Sequence, residues 1–224
     1  MKLALFDIDG TLLLSQGLGR AAKAHAMREI FGTESNVQTH PFGGKTDWQI
    51  LNELLGPLGW TSEAIGARMA DYEMRFARYM RELASEFSAT PLPGALELVQ
   101  ALDARPDVLV GVVTGNTRET APVKLRAGGF EPSLFRVGAF GSESHNRNDL
   151  PALAIQRAEA LVGAKIAPAD VFVIGDTVAD VTCARAVGAV AVAVLTGFEE
   201  RELLLASQPD YVLNDLREFD RVPL

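Results

Sequence analysis

Five short apolar runs, separated by stretches with helix-like apolar spacing, limit the fold of this chain more than any other feature. The runs are Leu3–Ile8, Val108–Val113, Phe135–Phe140, Val171–Ile174 and Val190–Leu195, with a weaker sixth at Tyr211–Leu213. They are almost continuously apolar, as strands buried on both faces are. Helix-like stretches such as Gly94–Ala104 and Ala152–Val162 lie between most of them. This alternation predicts an α/β fold in which helices cover both faces of a parallel sheet.

The part of the chain between the first two runs departs from this alternation. Apolar residues recur there at spacings of four and three, at Ile65, Met69, Tyr72, Phe76, Tyr79 and Leu83. The spacing predicts one amphipathic helix. A second helix should pack against it through Ile50, Leu51, Leu54, Leu55 and Leu58. We predict a core domain of residues 1–14 and 91–224 and an inserted helical domain of residues 15–90, with no strand in it and TPLPG (Thr90–Gly94) as the return linker.

Charge and cysteine content argue against several function classes. A formal net charge of −8 argues against a general surface for nucleic acid or for an anionic membrane, so an anionic substrate would need a local cation. The single cysteine, Cys183, forms no intramolecular disulfide, and no cysteine cluster is present for a metal. The first apolar run is too short for a signal peptide, and no later run reaches membrane-spanning length. We therefore expect a cytoplasmic protein.

Four carboxylates follow two of the predicted strands. Asp7 and Asp9, in DIDGT, would project from the same face of an extended strand, and Gly10 permits a tight turn with close backbone approach. Asp176 and Asp180, in GDTVAD, follow another strand, although Asp180 could equally cap a helix. The carboxyl ends of parallel strands form a ligand site. Four acidic residues there need a cation, and hard oxygen ligands suit Mg²⁺.

Hydroxyl, backbone and basic groups near other strand ends are suited to holding a phosphate. In VVTGN, the Thr114 hydroxyl and the N–H groups of Gly115 and Asn116 can contact a phosphate oxygen, although an ordinary turn is the alternative. Two cations compete for the basic role. Arg147 lies in a loop after a strand, which suits a site cation. Lys124 falls at helix-like spacing, so we expect it on a solvated helix face.

The stretch FGGKT, Phe42–Thr46, invites a nucleotide-binding P-loop interpretation that fails. The pattern requires a glycine where this chain has Thr39, and no clear strand precedes it. Thr46 with Gln49 instead fits a capping box at the start of a helix. The alternative is a loop of the helical domain that faces the site, in which Lys45 contacts the substrate.

These motifs resemble those of the haloacid dehalogenase-like hydrolase superfamily, in its phosphatase branch. DIDGT is similar to the first motif of that family, VVTGN to the second and GDTVAD to the fourth. RNDL lies where phosphoglycolate-phosphatase-like members have KPDP, so Arg147 replaces the usual lysine. ARAVGAVAVAVLTGF also resembles the run that follows the fourth motif. The resemblance covers nearly all of the core domain.

The resemblance implies a Rossmann-like core with a helical cap inserted between the first two motifs. It implies that Asp7 is the nucleophile, and that Asp9 is the general acid for the leaving oxygen and then the base for water. Asp9 must then be protonated while Asp7 is not. Mg²⁺ would be held by Asp7, the backbone carbonyl of Asp9, and Asp176, with Asp180 in support. The implied phosphate-binding set is Gly10, Thr11, Thr114, Gly115, Asn116 and Arg147.

The expected function is that of a Mg²⁺-dependent phosphatase that hydrolyses a small phosphorylated metabolite through an aspartyl-phosphate. Dehalogenation is disfavoured because the dehalogenases that the chain resembles lack the second carboxylate of the first motif, whereas Asp9 is present here. A phosphomutase would use the same aspartyl-phosphate, and remains an alternative. A non-catalytic phospholigand-binding protein is a second alternative, because a fold alone does not determine function.

Overall fold

The computed structural model describes residues 1–224 and contains eight strands in two sheets. In chain order the strands are β1 (Lys2–Phe6), β2 (Leu13–Ser15), β3 (Ala89–Pro91), β4 (Val108–Thr114), β5 (Val137–Phe140), β6 (Val171–Gly175), β7 (Val190–Val194) and β8 (Tyr211–Leu213). Six of them form a parallel sheet in the order β5–β4–β1–β6–β7–β8. The predicted parallel sheet is therefore confirmed, and β1 lies inside it, between β4 and β6.

Nine α-helices accompany the sheets. They are α1 (Leu18–Phe31), α2 (Asp47–Leu55), α3 (Ser62–Gly66), α4 (Met69–Leu83), α5 (Ala95–Asp103), α6 (Ala121–Ala127), α7 (Leu150–Val162), α8 (Val178–Ala186) and α9 (Arg201–Ala206). Alternate residues of β1 enter two different apolar layers: Leu3 and Leu5 pack with α7 and α8, whereas Ala4 and Phe6 pack with α5 and α6. Both faces of the sheet are thus buried, which explains the continuously apolar runs.

The helical segment has an apolar cluster of its own, to which α1, α2, α3 and α4 contribute. Tyr72, Phe76 and Met80 of α4 are buried against α1, as the predicted stripe requires. The single predicted helix from Ile65 onward is wrong, because α3 ends at Gly66 and α4 begins only at Met69. Leu58 is also misplaced: α2 gives way to a 3₁₀ turn there, at a Gly-Pro pair, and the Leu58 side chain is exposed.

Two short strands border the helical segment, where the sequence predicted none. β2 and β3 pair in antiparallel fashion, from Leu13 opposite Pro91 to Ser15 opposite Ala89. Each strand has three residues, too few to show a period in the sequence. β2 precedes the helical segment in the chain and β3 follows it. The pair therefore lies where the chain enters and leaves that segment.

The structure also differs from the sequence prediction at the ends of some strands. Phe135 lies outside β5, because a 3₁₀ turn at Pro132–Leu134 precedes the strand. Phe6 has Val112 and Ile174 as its neighbours across the sheet, so β1 ends two residues before β4 and one residue before β6. The residues after these three strands therefore meet at one edge of the sheet. No helix has both the length and the apolar character needed to cross a membrane.

Candidate active site

A cavity of about 590 Å³ lies between the carboxyl edge of the parallel sheet and the helical segment. The sheet side contributes seven of the predicted site residues: Asp7, Asp9, Thr114, Gly115, Asn116, Arg147 and Asp176. The opposite side is formed by the start of α1, by Phe76 of α4 and by the loop before α2, which includes Phe42 and Lys45. Residues that are far apart in the chain thus line one cavity.

Asp7 follows the central strand and is almost completely buried, with 6% of its surface exposed. Its backbone N–H donates to the carbonyl oxygen of Ile174 at 2.9 Å, which ties the end of β1 to β6. Its Oδ2 lies 3.2 Å from Nη2 of Arg147, whereas its buried Oδ1 has no hydrogen-bond partner. Burial and the nearby charges of Asp180 and Asp9 raise the pKa of Asp7 to about 6, against the opposing charge of Arg147.

Carboxylate oxygens of Asp7, Asp176 and Asp180 all lie within 4.8 Å of one another. Burial and the charges of Asp180 and Asp7 raise the pKa of Asp176 well above its ordinary value, although Thr11 donates a hydrogen bond to it at 3.0 Å. Together with the unpartnered Oδ1 of Asp7, this set of hard oxygen donors fits a divalent cation such as Mg²⁺.

Arg147 lies between two of these carboxylates and is 5% exposed. Its Nη2 is 2.5 Å from Oδ1 of Asp180 and 3.2 Å from Oδ2 of Asp7. Burial opposes the charge of the guanidinium, but Asp180 and Asp7 raise the pKa of Arg147 above its already high value. A cation is therefore held permanently beside the nucleophile candidate.

Asp180 has two structural roles. Thr177, not Asp180, is the N-cap of α8, so the helix-cap alternative for Asp180 is wrong in detail. Asp180 occupies the third helical position of a capping box, where its Oδ2 accepts from the backbone N–H of Thr177 at 3.1 Å and from the hydroxyl at 2.6 Å. Its other oxygen remains free to contact Arg147.

Asp9 points into the cavity, and its side chain is 41% exposed. Lys124 donates to its Oδ2 at 2.6 Å, Asn116 to the same oxygen at 2.8 Å, and Ser15 to Oδ1 at 2.9 Å. The expectation that Lys124 lies on a solvated helix face is wrong, because Lys124 is 7% exposed and faces the cavity from α6. The helical period identifies which residues share a face, but not whether that face meets solvent.

The environments of the two aspartates separate their proton affinities in the direction opposite to the one expected. Burial alone would raise the pKa of Asp9, but the charge of Lys124 and the hydrogen bonds from Lys124, Asn116 and Ser15 outweigh it and lower that pKa. The pKa of Asp7 is raised instead. Without a cation in the acidic cluster, the more basic carboxylate is therefore Asp7.

The VVTGN turn positions its side chains through internal hydrogen bonds. Nδ2 of Asn116 donates to Oγ1 of Thr114 at 2.8 Å and at the same time to Asp9. Gly115 is needed for a close approach, because a Cβ there would lie 2.0 Å from the carbonyl oxygen of Lys45. The Gly115 carbonyl accepts from the N–H of Asp47 at 2.8 Å, so the helical segment docks on this turn.

Gly10 and Thr11 do not line the cavity. Gly10 has a φ of 83°, and a Cβ at this position would lie 2.3 Å from Oδ2 of Asp176. Thr11 is fully buried, and its hydroxyl donates to Asp176. The structure therefore places both residues against Asp176, behind the cavity wall, where they set the position of that carboxylate.

Lys45 does line the cavity, but its ammonium is paired with Glu53 at 2.5 Å. The predicted cap at Thr46 is confirmed, since its hydroxyl accepts from the N–H of Gln49 at 3.0 Å. The reciprocal half of the capping box is absent, because the Gln49 amide donates to Glu53 instead.

Four charged residues of the cavity were missed from the sequence: Arg20, Lys23, Asp47 and Glu199. Lys23 is 2% exposed and forms an ion pair with Asp47, and it also contacts the Tyr72 hydroxyl at 3.1 Å. The available signal was the spacing of Arg20 and Lys23, which places them on one face of a helix. That face is otherwise apolar or small, so its two cations mark it as unusual for a buried surface.

Comparison with known proteins gives the family. The model of the haloacid dehalogenase-like hydrolases matches residues 1–188, which include all of the site residues predicted from the sequence. The chain belongs to this hydrolase family.

Similar proteins span nearly the whole chain. A phosphoglycolate phosphatase of Synechococcus elongatus is 32% identical over 221 residues, which cover 95% of this chain and 92% of that protein. Pyrophosphatase PpaX of Bacillus pumilus is 24% identical and covers 96% of this chain, with 92% of its own length. A crystal structure of a hydrolase from Pseudomonas syringae has a TM-score of 0.72 at 23% identity and covers 99% of each chain. The Rossmann-like α/β fold of this hydrolase is thereby confirmed.

Proposed function

We propose that this hydrolase is a Mg²⁺-dependent phosphatase that hydrolyses a small phosphorylated metabolite through an aspartyl-phosphate on Asp7. The proposal depends above all on Asp7, which lines the cavity with one oxygen beside a buried guanidinium and the other without a partner. A carboxylate that attacks phosphorus forms a mixed anhydride that water can cleave. The identity to a phosphoglycolate phosphatase supports the same reaction class.

Attack by a carboxylate on an anionic phosphoester requires that negative charge be neutralised. Arg147 is positioned for this, because its guanidinium lies between Asp7 and Asp180 and keeps its charge. Its planar group of N–H donors suits two phosphoryl oxygens. Thr114 and Asn116 add polar groups on the same side of the cavity.

Asp7 and Asp176 would hold the metal, with Asp180 in support, because both oxygens of Asp180 already bond to Thr177 and Arg147. When bound there, Mg²⁺ supplies positive charge that offsets the repulsion of these carboxylates and of the phosphoryl group. Gly10 and Thr11 help to position the Asp176 carboxylate. The Thr11 hydroxyl donates a hydrogen bond to it, and Gly10 lies so close to it that a side chain would not fit.

Asp9 would exchange the proton in both steps. Its low pKa suits the second step, in which an ionised carboxylate accepts a proton from the water that cleaves the intermediate. The first step needs the protonated form. A phosphoryl dianion beside Asp9 raises its pKa by like-charge repulsion, so substrate binding itself favours the acid.

Residues 15–90 would act as a cap that limits the substrate to small molecules and excludes water. The N–H groups at the start of α2 donate to the carbonyl oxygens of two loops at the sheet edge, from Asp47 to Gly115 at 2.8 Å and from Trp48 to Gly141 at 3.0 Å. These bonds hold the start of α2 against the sheet edge beside Asp7.

The test is phosphate release from a panel of small phosphomonoesters, with Mg²⁺ and with EDTA. Asp7→Asn should lower kcat by about 10⁴-fold or more while the protein stays folded. Asp103→Asn, at the exposed end of α5, is the matched control and should leave the rate unchanged.

Substantial turnover by the Asp7→Asn enzyme, or full activity in EDTA, would contradict the proposal. Interconversion of sugar phosphate isomers without phosphate release would indicate a mutase instead. Tight binding of one phosphomonoester with no reaction of any would indicate a binding protein.

A further inference from the structure

The helical side of the cavity carries cations that the proposed phosphatase chemistry does not use. Arg20 and Lys23 lie on α1, less than one turn apart, and both line the cavity. The ring of Phe42 lies against both, with its centroid 4.1 Å from the guanidinium carbon of Arg20 and 5.4 Å from Nζ of Lys23. The two charges are thus held close together by one aromatic surface.

Arg20 differs from the other cations of the cavity in its partners. Each of the others forms an ion pair: Lys23 with Asp47, Lys45 with Glu53, Lys124 with Asp9, and Arg147 with Asp7 and Asp180. Arg20 has no carboxylate partner, and its side-chain hydrogen bond goes to the backbone carbonyl oxygen of Val37. A half-buried guanidinium in the cavity therefore keeps uncompensated charge and donors that can take a ligand.

The surroundings of Arg20 add to this positive character. α1 begins beside the cavity, with Gly17 and Gly19 among the lining residues, and no side chain caps its amino end. Unpaired N–H groups at a helix start favour anions. Burial lowers the pKa of Lys23, Asp47 opposes that change, and the charges of Lys124 and Arg20 lower the pKa further. An anion bound between these groups would relieve the repulsion among them.

We propose that the substrate is a phosphomonoester with a second anionic group, a carboxylate or a further phosphate, which Arg20 binds at the helical side of the cavity. This inference rests on the proposed phosphatase function, in which Arg147 takes the reacting phosphoryl group. A planar guanidinium matches two oxygens of a carboxylate or phosphate. A neutral substrate would lie beside Arg20 without compensating its charge, so an anionic group is selected over a neutral one.

The experiment compares substrates that differ only in the second group. Phosphoglycolate carries a carboxylate, hydroxyethyl phosphate replaces it with a neutral hydroxyl, and ethylene glycol bisphosphate replaces it with a phosphate. Each is assayed with the wild type, Arg20→Gln and Arg20→Lys. Arg28→Gln is the matched control, because Arg28 is on the same helix but exposed, paired with Glu34 and outside the cavity.

Arg20→Gln should lower kcat/KM for at least one of the two-anion substrates by about 10- to 100-fold, the effect of a lost charged hydrogen bond. The loss should appear mainly in KM. The value of kcat/KM for hydroxyethyl phosphate should change by less than about threefold, and Arg20→Lys should recover part of the loss on the two-anion substrate. The substrate with the larger loss identifies the second group. Equal losses on charged and neutral substrates, or a wild type with no preference for a second anion, would overturn the inference.

A binding measurement separates this inference from the proposed reaction. Phosphonopropionate, which cannot be hydrolysed, and its neutral analogue hydroxypropylphosphonate are titrated into wild type and Arg20→Gln by calorimetry. Weaker binding of phosphonopropionate alone by the variant supports the inference even if no phosphomonoester turns over, a result that would remove only the phosphatase proposal. Turnover of neutral phosphomonoesters with no Arg20-dependent binding would leave the phosphatase proposal and overturn the anion site.

Discussion

The two sides of the cavity both contain buried charges, but they arrange them in opposite ways. On the sheet side, burial raises the pKa values of Asp7 and Asp176, and the charge of Asp180 beside both carboxylates raises them further. On the helical side, Lys23 and Asp47 form a buried pair of opposite sign, with the Tyr72 hydroxyl as a further partner. Like charges held together destabilise the fold until a ligand compensates them, whereas a completed ion pair does not. The sheet side is therefore arranged for chemistry, whereas the helical side stabilises the fold and selects the substrate.

The largest effect should come from breaking the ion pair on the helical side. Lys23→Met leaves Asp47 as a buried charge without its cation, so the free energy of unfolding should fall by about 3–5 kcal/mol. Urea denaturation at neutral pH measures this change. Arg28→Met, an exposed cation on the same helix, should change it by less than about 0.5 kcal/mol.

A second variant makes the first result decisive. Lys23→Met with Asp47→Leu removes both charges and should recover most of the lost stability, because an apolar pair can replace a buried ion pair. If the single change costs less than about 1 kcal/mol, or if the double variant is no more stable than the single one, the helical side is not held together by this pair.

The next largest effect should be a pH dependence that comes from the sheet side. In metal-free protein, Asp7 binds a proton more tightly when folded, with a pKa of about 6, than when unfolded, with a value of 3.8. The stability that protonation confers is complete below the unfolded value and is lost as the pH rises through about 6. The free energy of unfolding should therefore rise by about 2 kcal/mol as the pH falls from about 7.5 to about 4.5.

Thermal melts in EDTA across this range measure the change. Asp9 affects the free energy of unfolding in the opposite direction. Its pKa in the folded protein is lowered from 3.8, so that effect sets in only below pH 3.8, outside this range. Asp7→Asn should melt at a higher temperature than wild type at pH 7.5 and show a smaller pH slope, and saturating Mg²⁺ should also reduce the slope of the wild type. A wild type whose stability falls steadily with acid would show that the sheet side is not strained by its own charges.

The smallest effect concerns Lys124, which lies between the two sides. Lys124→Met removes the cation from Asp9, so the pKa of Asp9 should rise and the acid limb of the pH–rate profile should move upward by about one unit or more. The value of kcat/KM near neutral pH should fall by about 10- to 100-fold, or roughly 1.4–2.8 kcal/mol. Lys165→Met, which removes a 91% exposed lysine, is the control. An unchanged acid limb would show that Lys124 does not set the protonation of Asp9.

The sequence predicted the elements that have a local signature. The apolar runs around Leu5 and Val173 identified parallel strands, because burial on both faces suppresses alternation within a few residues. Thr46 identified the start of α2, because a cap depends on its own next turn. β2 and β3 were missed for the converse reason: each is three residues long, and each is stabilised by a partner far along the chain.

The same distinction between local signatures and remote partners applies to the residues of the candidate site. Asp7, Asp9, Asp176 and Asp180 could be named because each stands in a recognisable strand-end motif. Lys124 was misassigned and Lys23 was missed, because a helical period does not show what the helix packs against.

By itself, the sequence determined the order of strands and helices, the helical segment after the first strand, and the carboxylates that gather at the strand ends. Only the tertiary structure decided which cation meets which carboxylate: Lys124 with Asp9, Arg147 with Asp7 and Asp180, Lys23 with Asp47, and Arg20 with none. The reason is physical. Periodicity and capping act over a few neighbouring residues, whereas pKa and charge pairing depend on distances of a few ångström and on burial, which exist only once remote segments have packed together.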